Sequence, residues 1–265
     1  MVRKLAVGLG LILFSASVAG AADLRVGLVL DRGGKDDKSF NASAYQGAME
    51  AQKTLGVEVK TVESPDDNAF EPLLRAFSQK KFDLVIAIGV AQAESVKKVA
   101  ALFPQTHYAI VDAQVDAANV RSLLFQEHEG SYLMGAAAAL TSKTGKVGFL
   151  GGMEIPLIRR FQMGFEAGAR SVNPKAVVLS NYVGVTSEAW NNPTKAKELA
   201  LSQYDSGVDV VFAAAGASGM GLFDAVEQRS KSGKKVFAIG CDSNQNWIRP
   251  RSEEHTSELQ SRLHL

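Results

Sequence analysis

From Asp23 to Pro250, short apolar runs alternate with stretches whose apolar residues recur three and four positions apart. The runs have the pattern of strands buried on both faces, and the stretches that of amphipathic helices. Strands are predicted over Arg25–Leu30, Glu58–Val62, Leu84–Ile88, Tyr108–Val111, Val120–Phe125, Lys146–Leu150, Ala176–Ser180, Val210–Ala214 and Val236–Ile239. Helices are predicted over Asn41–Leu55, Phe70–Gln79, Ala93–Leu102, His128–Thr141, Ile158–Ser171, Thr194–Tyr204 and Gly219–Lys231. Strict alternation of this kind implies an α/β fold, with parallel sheets covered by helices on both faces. About 230 residues are more than one sheet core needs, so two lobes are expected. Their boundary is placed near Gln126–Gly130, before an Ala-rich helix, giving lobes of 23–127 and 128–250. No Pro- or Ser-rich linker separates them, so short hinges and a cleft between the lobes are expected.

The two ends depart from this rhythm. Residues 1–22 have the form of a cleavable export signal: Arg3 and Lys4, an apolar core from Leu5 to Phe14, then small residues around Ala19–Ala22. The apolar core is too short to span a bilayer, and no cysteine lies near the cleavage region to receive a lipid. The mature protein is thus expected in a periplasm. At the other end, Arg251–Ser261 reads codon by codon as the translation of a sequencing-library adapter. Residues 251–265 are therefore taken as artefactual, with the C-terminal part of the natural protein missing after Pro250.

Removing both ends changes the charge from 29 basic and 28 acidic residues to an exact balance. A neutral chain gives no electrostatic basis for binding nucleic acid or a membrane surface. One cysteine, Cys241, excludes an internal disulfide and a cysteine-rich metal site. The histidines have no metal-ligand spacing, and no GxSxG elbow is present. No catalytic residue, metal or cofactor is assigned.

The candidate chemistry lies at strand ends. Asp31, Asp112 and Asp242 each follow a predicted strand, and ligands in open α/β sheets sit at the carboxyl ends of strands. Carboxylates accept hydrogen bonds from sugar hydroxyls and from the N–H edges of bases. Such residues also serve as ordinary turn and cap residues. In Asp31-Arg-Gly-Gly-Lys-Asp-Asp-Lys-Ser-Phe40-Asn41, the glycines relax a turn, Ser39 or Asn41 is expected to cap the next helix, and Asp36 and Asp37 are expected to face solvent. Trp190 lies in a polar loop, where an aromatic either anchors the loop or stacks on a ligand. The turn Ala213–Gly221 has GxxGxG order rather than a dinucleotide fingerprint, and suits close packing or backbone contact with a neutral ligand.

These segments together resemble the basic membrane protein family, the purine-nucleoside-receptor class of ABC-transporter substrate-binding proteins. The resemblance rests on Asp31-x-Gly-Gly-Lys-x-Asp-Lys-Ser-Phe-Asn41, Glu129-Gly-Ser-Tyr-Leu-Met-Gly135, Val183-Gly-Val through Trp190-Asn-Asn-Pro193, and Ile239-Gly-Cys-Asp242-Ser-Asn-Gln245. It implies two Rossmann-like lobes of the type I periplasmic binding protein kind, with a hinged cleft. It further implies that Phe40 and Trp190 stack on a base, Asn41 and Asp112 read its edge, Gly216 contributes backbone, and Asp242 binds ribose hydroxyls. Trp190 stands where better-known members have phenylalanine, and a ribose-contacting lysine of the family lies past Pro250. The implied partners are a nucleoside and an inner-membrane ABC permease, with the receptor itself monomeric. Alternatives are a receptor for another small polar ligand, a chemoreceptor partner, or a nucleoside-processing enzyme.

Overall fold

Parallel strand order is the first thing the tertiary structure adds. The computed structural model describes residues 24–248, so the export-signal and adapter readings lie outside the described residues. The first sheet contains β1 (Arg25–Leu30), β2 (Glu58–Glu63), β3 (Leu84–Ile88), β4 (His107–Val111) and β5 (Val120–Leu123), in the order β2-β1-β3-β4-β5. Helices α1 (Phe40–Leu55), α2 (Phe70–Gln79) and α3 (Ala93–Leu102) form its crossovers. The second sheet contains β6 (Lys146–Met153), β7 (Val177–Gly184), β8 (Val210–Ala214) and β9 (Phe237–Ile239), in the order β7-β6-β8-β9. It carries α4 (Glu127–Thr141), α5 (Pro156–Val172), α6 (Pro193–Asp205) and α7 (Met220–Lys231). All strand pairs are parallel, with registers such as Leu28 opposite Ile86 and Leu150 opposite Ala213.

The hydrophobic pattern explains the layers. Central strands β1 and β8 are apolar and buried almost throughout, because helices cover both faces. Edge strands β2 and β7 are only partly covered. The first sheet has one core around Phe70, Leu74, Val85 and Ile110, and another around Leu28, Leu30 and Ile88. The second has cores around Phe149, Phe165 and Phe212 on one face, and Leu150, Tyr204 and Leu222 on the other. Helices α4 and α5 pack backbone to backbone. A Cβ added at Gly168 would lie 1.8 Å from the Tyr132 carbonyl oxygen, and one at Gly164 would lie 2.2 Å from that of His128.

Every predicted strand and helix is present, and only the ends differ. Strand β6 continues to Met153 because Gly151 and Gly152 leave room for Tyr182 and Trp190 over the strand. Strand β5 stops at Leu123, and Leu124 and Phe125 leave the sheet exposed. Helix α5 begins at Pro156, whose missing N–H costs nothing in the first turn.

The start of α1 corrects two expectations. Ser39 makes no side-chain capping bond, and Asp37 does not face solvent. Asp37 is buried and itself accepts from the N–H of Ser39, just before the helix, at 2.8 Å, and from the first-turn N–H groups of Asn41 and Ala42 at 2.9 Å. A carboxylate two residues further back thus takes the cap role, favoured by the helix dipole. Asp36 is exposed and pairs with Lys35.

Candidate functional site

Both sheets reverse strand order at a switch point, between β1 and β3 in the first and between β6 and β8 in the second. At such a point successive loops diverge and leave a crevice beyond the strand ends. The two crevices face each other across one cavity with about 630 Å³ of empty space. The β1, β3 and β4 ends supply Asp31, Gly89 and Asp112, and the β8 and β9 ends supply Gly216 and Asp242. Phe40 enters from the first residue of α1, and Trp190 from the short turn before α6. All six residues singled out from the sequence, Phe40, Asn41, Asp112, Trp190, Gly216 and Asp242, line this cavity.

Each ring is held by the core of its own lobe. Phe40 packs against the Leu28, Leu30 and Ile88 cluster, and Trp190 against the Phe149 and Phe212 cluster. Gly152 is what admits the indole: a Cβ there would lie 2.2 Å from its ring. Ser218, fully buried, ties the Trp190 turn to the glycine turn after β8, donating to the Ala189 carbonyl at 2.7 Å and accepting from the Asn192 N–H at 2.6 Å. Gly216 takes a left-handed φ of 55°. Close packing, the other reading of the glycine turn, also holds, because Gly221 sits against the Pro193 carbonyl.

The polar side chains differ in how far they are already committed. Asn41 is buried, and its Nδ2 donates to Asp31 Oδ1 at 2.6 Å and Asp37 Oδ2 at 2.9 Å. Its Oδ1 accepts from the Asp31 N–H at 3.0 Å. Both amide protons are therefore used within the loop, which leaves Asn41 only acceptor capacity toward the cavity. Asp242 Oδ2 accepts from Ser39 Oγ at 2.5 Å, and its Oδ1 lies 3.2 Å from Cys241 Sγ. Asp112 differs: among the described residues, no hydrogen bond reaches its carboxylate. Asp112 and Asp242 both adopt left-handed backbone, at φ 65° and 68°, which turns each strand-end residue out of the sheet direction.

Electrostatics follow from this crowding. Burial raises the Asp112 carboxyl to about 7, with further upward pressure from Asp242 and Glu127, opposed by Arg160. Asp31 is raised by burial and partly restored by the Gly33 N–H and the Asn41 amide. Asp242, exposed where it opens to the cavity, is raised by desolvation and lowered in part by Ser39 and Cys241. No Lys, Arg or His is among the described residues lining the cavity. The nearest cation acting on Asp112, Arg160, is held by two bonds to the buried Glu127, at 2.9 and 3.2 Å.

The residue set implied by the resemblance leaves out several lining residues. Val90, Leu157 and Phe161 face the cavity, and so does Asp31, a strand-end candidate given no ligand role there. Phe161 sits at helical spacing among core residues of α5, so nothing local sets it apart. Asp31 carried the same strand-end signal as Asp112 and Asp242.

Polar contacts also join the lobes around the cavity. Ser43 Oγ donates to the Asp242 carbonyl at 2.9 Å, Gln245 Nε2 to the Lys38 carbonyl at 2.8 Å, and Ser187 Oγ to Asp67 Oδ2 at 2.6 Å. Two parallel-sheet lobes closing on one cavity at their switch points define the type I periplasmic binding protein fold. More narrowly, the chain belongs to the Bmp family, described as PnrA-like ABC transporter substrate-binding proteins, whose pattern matches residues 24–257. It is 35% identical to a CD4+ T-cell-stimulating antigen of Listeria innocua, over 92% of this chain and 74% of that protein. It is 34% identical to the ABC transporter nucleoside-binding protein BmpA of Lactococcus lactis, over 85% of this chain and 66% of that protein. A solved structure of an ABC transporter solute-binding protein from Aeropyrum pernix superposes with a TM-score of 0.80 at 32% identity, covering 87% of this chain. The chain spans 65% of that structure's length.

Proposed function

We propose that this protein is an exported receptor that binds a purine nucleoside in the interlobe cavity and delivers it to an ABC permease. One observation carries the reading: a cavity lined by Phe40 from one lobe and Trp190 and Phe161 from the other, with four carboxylates and no cation among its described lining residues. Flat faces suit a base, and carboxylates suit the N–H and O–H donors of base and ribose. A phosphate would meet Asp31, Asp112 and Asp242 with nothing to balance it, so nucleosides are favoured over nucleotides. The Lactococcus relative is itself described as nucleoside-binding. In this reading Phe40 and Trp190 stack on the base, Asp112 and the Asn41 carbonyl face its edge, Gly216 offers backbone, and Asp242 takes ribose hydroxyls. The receptor works as a periplasmic monomer and performs no catalysis.

Titration calorimetry with adenosine, guanosine, inosine, ribose and AMP tests the reading. Heat with at least one nucleoside, and little with ribose or AMP, is expected. Absence of heat with every nucleoside would overturn it.

A further inference from the structure

Among the four carboxylates lining the cavity, Asp112 stands apart. Asp31 accepts from the Gly33 N–H at 3.0 Å and from Asn41, Asp37 from four donors, and Asp242 from Ser39. The Asp112 carboxylate accepts from none of the described residues. It projects from β4 of the first lobe into a largely apolar cavity, which it shares with Asp242 of the second lobe. Its charged or titratable neighbours are Asp242 and the neutral Cys241 thiol after β9, Glu127 at the start of α4, and Arg160 of α5. Two of these are anions, and the cation is already held by Glu127 at 2.9 Å.

A carboxylate in that setting is stabilised by a donor or by a proton. We propose that ligand binding is linked to a proton on Asp112: a ligand N–H or O–H takes that proton's place, and the proton passes to solvent. The inference rests on the cavity being the ligand site, as read above. It makes Asp112 a selector for ligands with a donor at that position, and makes loading weaken in acid.

Burial raises the Asp112 carboxyl to about 7. Above that pH the carboxylate is ionised, and binding needs no proton release. Below it, each bound ligand must first displace a proton, so affinity falls toward tenfold per pH unit. Between pH 8 and pH 5.5 the loss is about thirtyfold.

Guanosine, whose N1–H and amino group are donors, is the probe. Calorimetry at pH 6 in buffers of different ionisation enthalpy should show about one proton released per ligand bound, and affinity about thirtyfold weaker at pH 5.5 than at pH 8. In Asp112→Asn the proton release should vanish and the affinity should be flat with pH. Carboxyl carbon NMR of the wild-type protein without ligand should show one aspartate titrating near 7 that is missing in the variant. Binding of guanosine without proton release, or equal release in Asp112→Asn, would overturn the linkage while leaving the nucleoside reading intact. No heat at pH 8 with any nucleoside would overturn both.

Discussion

Asp37 is the residue on which the geometry of the first lobe's cavity wall depends. Replacing it with alanine removes a buried carboxylate that accepts from three backbone N–H groups and from Asn41 Nδ2, all between 2.8 and 2.9 Å. Loss of a helix cap alone costs about 1 kcal/mol, and hydrogen bonds to charged groups run about 1.5–3 kcal/mol each. The four share one acceptor and water can reach part of the turn, so they do not add, and a total of about 3 kcal/mol is expected. Asp37→Asn keeps one acceptor oxygen and should lose about half as much. Urea unfolding followed by far-UV circular dichroism measures this in both lobes. Asp36→Ala, at an exposed neighbour, is the control and should stay within about 0.5 kcal/mol of the parent. If Asp37→Ala loses less than about 1 kcal/mol, the capping argument is wrong. If it loses the expected amount, nucleoside affinity should fall with it, because Phe40 and Asn41 are the first two residues of the helix it caps.

Three further outcomes test other parts of the structure. Trp190→Ala should weaken nucleoside binding by about 1–3 kcal/mol in calorimetry, and an unchanged affinity would remove the ring from the site. Gly168→Ala puts a methyl where the Tyr132 carbonyl lies at 1.8 Å, so α4 and α5 must part. The expected cost is about 2–3 kcal/mol, seen as a Tm lower by several degrees, and an unaltered melt would contradict that packing. Asp112→Asn should stabilise the ligand-free protein at pH 8 by about 2 kcal/mol, because it removes a half-buried charge that accepts no hydrogen bond from the described residues. The raised Asp112 carboxyl binds a proton more tightly folded than unfolded, so the parent gains stability as pH falls from about 7. The advantage of the variant should therefore be mostly gone by pH 4.5, and an advantage independent of pH would refute the assignment.

Apolar periodicity was enough to tell strands from helices, because burial on a sheet or a helix face requires that spacing locally. Strand-end position likewise marked Asp31, Asp112 and Asp242, whereas ligand roles for Phe40, Asn41, Trp190 and Gly216 came from the family resemblance, because a loop's local pattern does not separate a ligand contact from a turn or packing residue. What each can do depends on contacts between segments far apart in the chain. Asp36 and Asp37 are chemically identical neighbours, yet one is exposed and the other is buried beneath the start of α1. Asn41 was read as a helix cap and, by resemblance, as a base-edge contact, but Asp31 and Asp37 take both its amide protons. Phe161 was indistinguishable from a core residue until α5 was set against the cavity. Asp31, Asp112 and Asp242 end their strands alike, but differ in how many donors the other loops bring to them. Those differences arise between residues up to about two hundred positions apart, where sequence spacing carries no record of distance or solvent, and they separate a structural carboxylate from one available to a ligand.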